Sequence, residues 1–325
     1  MQSIVVEEYG EASTLAQQST PDRDPDDGEV RIDVRATGVN FADIEQRRGR
    51  YRGGPEAPFV PGLEGAGVIE AVGQDVTEWA VGDEVMCFFP DGGGYAETAV
   101  TDAAHLFEKP ANLSFAEAGG MLIQAFTAHN TLHEWGGLSG EDTVLINAAA
   151  GGVGSVATQL AAAAGATTIG TASTEAKRAF AADCGADHTI DYTEADVPAR
   201  IEELTDGEGI DLLLDGVGGR AFADGLEAVR CGGTAVTYGV ASGDRTTLMA
   251  PRLFYQNKSV VGYHLMNGIE SVPERVMAAK EPLFDRIEAG DVTVTVEETY
   301  PLTEAQAAHE AIEARETRGR VVLIP

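Results

Sequence analysis

The chain has 325 residues, enough for about two domains, and 43% of them are hydrophobic, enough to fill ordinary cores. Its 53 acidic residues against 22 basic ones leave a formal charge of −31, which excludes the Lys- and Arg-rich surface that nucleic-acid binding requires. Three scattered cysteines (Cys87, Cys184, Cys231) supply neither a disulfide framework nor a paired metal motif. The N-terminal MQSIVVEEYG lacks the basic and apolar regions of a secretion signal, so a reducing, cytoplasmic setting is expected.

Only four of the basic residues are lysines: Lys109, Lys177, Lys258 and Lys280. A carboxylate-rich, lysine-poor surface over an ordinary core is typical of proteins from salt-loving microbes, where molar salt screens self-repulsion.

Before about residue 120 the chain reads as short strands, VRIDVRATGV, GAGVIEAVG and DEVMCF, separated by Gly and Pro turns; an irregular β-rich domain is expected over 1–120. Thr143 to Thr174 carries no charge, a length that suits a membrane span, but its punctuation says otherwise. TVLIN reads as a strand, AAAGGVG as a turn, SVATQLAAAAG as a helix and TTIGTAS as a second strand: a buried βαβ unit, and no membrane partner. The alternation continues with a helix near Glu175–Cys184, a strand at His188–Ile190, a helix near Ala199–Leu204, the strand Ile210–Asp215, a helix near Ala221–Arg230, and then TAVTYG and SVVGYH. That pattern predicts an α/β fold with a Rossmann-type doubly wound parallel sheet over 121–264. The tail, 265–325, reads as a helix near Pro273–Ala289, a strand VTVTV, a helix opened by the capping-box pattern TEAQ at Thr303–Gln306, and a final strand VVLI that rejoins the first domain.

The turn Ala148–Gly154 follows a strand and opens a helix, the setting a dinucleotide pyrophosphate needs: small residues admit the phosphates, and the helix N-terminus presents N–H groups and positive dipole. The next strand ends at Ala172, where an enzyme reading the ribose 2′-hydroxyl would carry an acid. Ser173 and Lys177 stand where a 2′-phosphate would need a donor and a charge, which points to NADPH.

Several linked segments, GVNFADIEQRRGRY (Gly38–Tyr51), PGLEGAGVIEAVG (Pro61–Gly73), VGDEV, GGYAE, AAAGGVGS, KRAFAADCGADHTIDY and the ending RGRVVLIP, resemble the zinc-independent NADPH:quinone oxidoreductase group of the medium-chain dehydrogenase/reductase superfamily over nearly the whole chain. The resemblance implies a GroES-like catalytic domain beside the Rossmann domain, and hydride transfer from NADPH to a quinone or related conjugated carbonyl. Asn40 and Tyr51 are the implied catalytic contacts, with Phe41 and Thr127 near the nicotinamide. Ala150, Gly151, Gly152, Val153 and Gly154 would hold the pyrophosphate, and Ser173, Lys177 and Tyr192 the adenosine phosphate. Val217, Gly239 and Tyr263 would line the remaining groove, and Arg315 and Arg320, with Arg318 in competition, would reach the cofactor from the tail. Relatives often carry a tyrosine where this chain has Glu45.

No metal is expected. In the resembling zinc enzymes a His ligand stands at the position of Leu63 and a Cys ligand near Asn40, and no set of three or four ligands with suitable spacing is present here. Reduction of enones or enoyl thioesters, and a non-enzymatic NADPH-binding role, are the alternatives. A homodimer built through SVVGYH is also implied.

Overall fold

The computed structural model describes residues 1–325. Near the N-terminus β1 (Gln2–Val6) pairs antiparallel with β2 (Leu15–Ser19). Then follow β3 (Glu29–Gly38), α1 (Phe41–Arg47), β4 (Glu64–Val72), β5 (Glu84–Phe88), β6 (Thr98–Asp102), β7 (Leu106–Glu108) and α2 (Phe115–Gly119). In β3 the alternating Val30, Ile32 and Val34 turn inward and pack with Ile69, Val85 and Phe89, so a period of two fixes which face is core.

From α3 (Leu122–His129) the pattern changes to β8 (Thr143–Ile146), α4 (Gly152–Ala163), β9 (Thr167–Ala172), α5 (Glu175–Asp183), β10 (His188–Asp191), α6 (Val197–Leu204), β11 (Ile210–Asp215), α7 (Gly219–Ala228), β12 (Val229–Thr237), α8 (Ala250–Phe254) and β13 (Ser259–Gly262). The strands form a six-stranded parallel sheet ordered β10-β9-β8-β11-β12-β13. The uncharged run thus lies in a βαβ unit, β8-α4-β9, and no helix is long and apolar enough to cross a membrane. Helices α9 (Leu265–Ser271), α10 (Pro273–Met277) and α11 (Lys280–Ala289) complete this region, and β14 (Val296–Pro301), α12 (Ala305–Glu313) and β15 (Arg320–Ile324) end the chain. The last two strands extend the first sheet to the order β14-β15-β3-β4-β5-β7, with β6 paired to β3.

The chain divides into two units, Met1–Ile123 with Val294–Pro325, and Gln124–Thr293. The tail does rejoin the first unit, but from Val294 rather than 265. Residues 265–293 stay with the sheet unit because Val276, Leu283 and Ile287 are buried there, Asn130 Nδ2 donates to the Val276 carbonyl at 3.2 Å, and the Arg275 guanidinium stacks 3.9 Å from the Trp135 ring centre.

Three expectations for the tail need correction. The single helix at Pro273–Ala289 is two, because Pro282 has no N–H to donate back along a continuous helix and is tolerated only in the first turn of α11. Of VTVTV only the last residue, Val296, lies in a strand, as the start of β14: Val292 and Val294 are buried as the alternation demands, but the Gln159 side-chain amide takes the place of a partner strand, bonding both the N–H (2.9 Å) and the carbonyl (3.0 Å) of Thr293. The TEAQ capping box does not form. Leu302–Glu304 is a tight 3-10 turn entered from Pro301, and α12 begins at Ala305 without a side-chain cap.

Candidate active site

In the sheet unit, β8 runs into a turn at which Ala148 adopts a left-handed φ of 53°. A Cβ on Gly154 would lie 2.2 Å from the Ala148 carbonyl oxygen, so that position requires glycine, whereas one on Gly152 would meet only the end of the Gln124 side chain, which would have to move aside. Gly151 differs: its only near neighbour would be the Ala148 carbonyl oxygen at 3.3 Å, so this face of the turn is open to a ligand. Gly151 is the N-cap of α4 and has no side chain to satisfy the first-turn amides, which leaves Val153 and Gly154 at an uncapped, positive helix end, with Ala150 buried beside them. Backbone packed to the limit beneath and open above is the cradle a pyrophosphate fits.

A buried polar network beneath that turn joins the carboxyl ends of three neighbouring strands. Asn147 Nδ2 donates to Asp215 Oδ1 at 2.8 Å, Thr171 Oγ1 donates to Asn147 Oδ1 at 3.0 Å, and Asp215 Oδ2 accepts from the Gly218 amide at 2.8 Å. Burial pushes the Asp215 carboxyl up, and the Asn147 and backbone donors hold it back. Sequence reading passed over these residues. Their signal was present: a polar side chain stands at or near the end of each strand, at TVLIN, TTIGTAS and IDLLLD.

The corner expected to hold the adenosine phosphate forms where β9 and β10 end side by side, Ala172 in register with Asp191. Ser173 and Tyr192 therefore leave adjacent strands at one level, and Lys177 sits in the first turn of α5, which Thr174 caps. An acid is present here after all, on the neighbouring strand. Asp191 is ion-paired with Arg178 and held below the usual carboxylate range, first by the Thr193 hydroxyl and amide and then by Arg178.

Val217 and Gly239 lie on adjacent loops brought together by a close backbone approach: a Cβ on Gly239 would stand 2.7 Å from the Gly216 carbonyl oxygen. Tyr263 departs from the expected groove-lining role. It is buried, its hydroxyl accepts from Asn130 Nδ2 at 3.1 Å, and its ring meets Trp135 edge-on. Thr127 is buried on α3.

In the first unit, α1 carries the other candidates. Phe41 is its first residue and Asn40 its N-cap. Asn40 Nδ2 donates to Glu64 Oε1 at 2.9 Å, and its Oδ1 accepts from Arg320 Nη1 at 3.2 Å. Arg320 does not extend from the tail as expected. It is 4% exposed, ion-paired with the fully buried Glu64 and bonded to the Val39 carbonyl at 2.8 Å. Arg318 pairs with Glu297 at 2.8 Å, while Arg315 is exposed in a left-handed turn. Glu45 forms an ion pair with Arg48 at 3.6 Å, and its carbonyl accepts the Tyr51 amide at 3.2 Å. Tyr51 is half-buried, and burial followed by the charge of Asp43 pushes its phenol up. Leu63 is buried, and no three His, Cys, Asp or Glu side chains are grouped to hold a metal ion.

A family model described as alcohol dehydrogenase GroES-like domain matches residues 26–111, and one described as zinc-binding dehydrogenase matches residues 152–281. The chain is 36% identical over 317 residues to a quinone oxidoreductase of Pseudomonas aeruginosa, covering 98% of this chain and 97% of that one. It is 34% identical to a 2-haloacrylate reductase of Burkholderia, covering 93% of this chain and 92% of that one. The crystal structure of Escherichia coli quinone oxidoreductase complexed with NADPH superposes with a TM-score of 0.94 at 31% identity over 100% of both chains. The chain belongs to the medium-chain dehydrogenase/reductase superfamily, as a quinone oxidoreductase-like enzyme.

Proposed function

We propose that the enzyme reduces quinones by hydride transfer from NADPH without a metal. The observation that carries this reading is the intact nucleotide cradle at Ala148–Gly154 in a chain that matches quinone oxidoreductases along its whole length. Ala150–Gly154 hold the pyrophosphate, Ser173, Lys177 and Tyr192 the adenosine phosphate, and Val217 and Gly239 the adjoining loop edge. Asn40, fixed by Glu64 and Arg320, and Tyr51 are the first unit's contacts to the acceptor. NADPH when bound supplies the hydride. A quinone suits a site without a Lewis acid because the electrons enter a ring that becomes aromatic, and its oxygens accept protons from a phenol or from water.

The Burkholderia relative supports a second reading, reduction of a conjugated acid or enone. An acceptor panel in chelator-treated buffer decides between them. We expect NADPH-dependent turnover of p-benzoquinone and o-naphthoquinone with kcat/KM well above that for 2-haloacrylates and enones. The reverse order would establish the second reading, and activity restored only by added zinc would defeat the metal-free one.

Two further features belong to this reading. The net charge of −31 supports a salt-adapted protein: Tm should rise with KCl toward molar concentrations, because the Debye length shrinks from about 10 Å at 0.1 M to about 3 Å at 1 M, and a flat profile would remove the idea. The edge position of β13 and the strong exposure of Met249 (68%), Phe254 (59%) and Tyr255 (79%) next to it in sequence support a homodimer through this edge. Tyr255→Glu should shift light-scattering mass from two chains to one; a mass of one chain before substitution would dismiss the pairing.

A further inference from the structure

Ligands of open parallel sheets lie outside the carboxyl ends of the strands, in the crevice where the strand order reverses. In the order β10-β9-β8-β11-β12-β13 that crevice falls between β8 and β11, which pair through Val144–Leu212, Leu145–Leu213 and Ile146–Leu214. The next residues along, Asn147 and Asp215, are both buried and are joined across the crevice floor by the 2.8 Å bond from Asn147 Nδ2 to Asp215 Oδ1. The function proposed above uses neither.

Chemistry forces the direction of every bond in this network. An ionised carboxylate only accepts, so Asn147 turns its Nδ2 toward Asp215, and Nδ2 also donates to the Ala221 carbonyl at 3.1 Å. Asn147 Oδ1 is left to accept from Thr171 Oγ1, and the Thr171 oxygen in turn accepts the Ala148 backbone N–H at 3.3 Å. From the other side the Gly218 N–H donates to Asp215 Oδ2. Donors therefore run inward from two loops and end on one group, the Asp215 carboxylate.

Each end of the chain is backbone in the left-handed region. Ala148 has a φ of 53°, costly for a residue with a Cβ, and Gly218 and Gly219 follow one another at 73° and 56°. Ala148 shapes the nucleotide cradle, since its carbonyl accepts the Gly151 N–H at 2.9 Å and lies against Gly154. Gly218 follows Val217 and is the N-cap of α7.

We propose that Asp215 is a positioning residue for the cofactor: through Asn147 and Thr171 on one side and the Gly218 amide on the other, it holds the pyrophosphate turn and the loop after β11 at the separation that NADPH spans. This rests on the reading above that seats the pyrophosphate at Ala148–Gly154. Aspartate is required because it accepts from both sides. An asparagine offers one acceptor where two are needed, and its NH2 must face either Asn147 Nδ2 or the Gly218 N–H, donor against donor. Turning the Asn147 amide over to relieve this would set its oxygen against the Ala221 carbonyl. One loop must then move, and binding has to bring it back.

Fluorescence titration with NADPH, and competition by adenosine 2′-phosphate, which reaches only the corner at Ser173, Lys177 and Tyr192, test this. Asp215→Asn should weaken NADPH by about ten- to a hundred-fold, the range set by a buried donor left unsatisfied in the binding-competent state. It should leave adenosine 2′-phosphate nearly unchanged. Thr171→Val, which keeps the shape but cuts the chain to Ala148, should weaken NADPH in the same selective way, and Thr171→Ser, which keeps the hydroxyl, should restore it. The double variant Asp215→Asn/Thr171→Val should lose less than the product of the two single effects, because both break one chain. Should Asp215→Asn not fold, the two Thr171 variants carry the decision. Unchanged NADPH affinity in Asp215→Asn, equal weakening of both ligands, or a Thr171→Ser variant as weak as Thr171→Val overturns the proposal alone. No NADPH binding by the unmodified protein overturns the parent reading and the proposal with it.

Discussion

Replacing Arg320 with methionine should destabilise the first unit by about 3–5 kcal/mol, the usual cost of removing one partner from a buried ion pair. Arg320 is the single cation paired with Glu64, which has no exposure, and it also bonds the Val39 carbonyl and Asn40 Oδ1. Without it the Glu64 carboxylate keeps only the Asn40 amide at 2.9 Å and the Ile123 backbone N–H at 2.9 Å, too little to offset its desolvation. Arg318→Met, two residues away, removes a pair whose arginine is 42% exposed and should cost within about 1 kcal/mol. Urea midpoints of the two variants check the contrast. Equal shifts would mean that Arg320 is not the internal tie described here. The substitution should also raise KM for the acceptor, because Asn40 loses one of the bonds that orient its amide.

Sequence separated these arginines poorly, and the reason is physical. Arg315, Arg318 and Arg320 lie within six residues, and only the register of β15 against β3, which buries its first residue, distinguishes a structural arginine from a surface one. The same holds for Asp43, Arg47, Glu64, Tyr95 and His309. They are separated by up to 266 positions (309 − 43), and each one read singly passes for a solvated side chain, so no local pattern announces their cluster. The sheet unit was far more legible. IDLLLD is a strand with the bounds its apolar run suggests, since a strand buried on both faces must be apolar throughout. The glycine turn was equally visible, because its backbone approach excludes side chains at fixed positions. VTVTV misled because alternation reports burial, and burial does not require a neighbouring strand when a glutamine amide supplies the bonds.

Lys177→Ala should weaken NADPH binding by roughly ten- to a hundred-fold and leave NADH binding nearly unchanged, because a hydrogen bond to a charged group is worth about 1.5–3 kcal/mol and only NADPH carries the 2′-phosphate. The local structure sharpens this expectation. Ala172 and Asp191 end neighbouring strands in register, so the corner already contains one carboxylate, and its charge is neutralised by Arg178. Arg178→Ala would expose the phosphate to that carboxylate and should also act on NADPH alone. Ala172→Asp adds a second negative charge at the same level and should turn preference toward NADH, an effect that the single arginine cannot cancel. Salt shrinks all three differences by screening, so the affinities are to be compared by fluorescence titration across a KCl series. If the unmodified enzyme prefers NADH, or if Lys177→Ala weakens both cofactors equally, Lys177 does not read the phosphate. If Arg178→Ala alone fails to discriminate between the cofactors, Asp191 lies too far from the phosphate for its charge to be felt there.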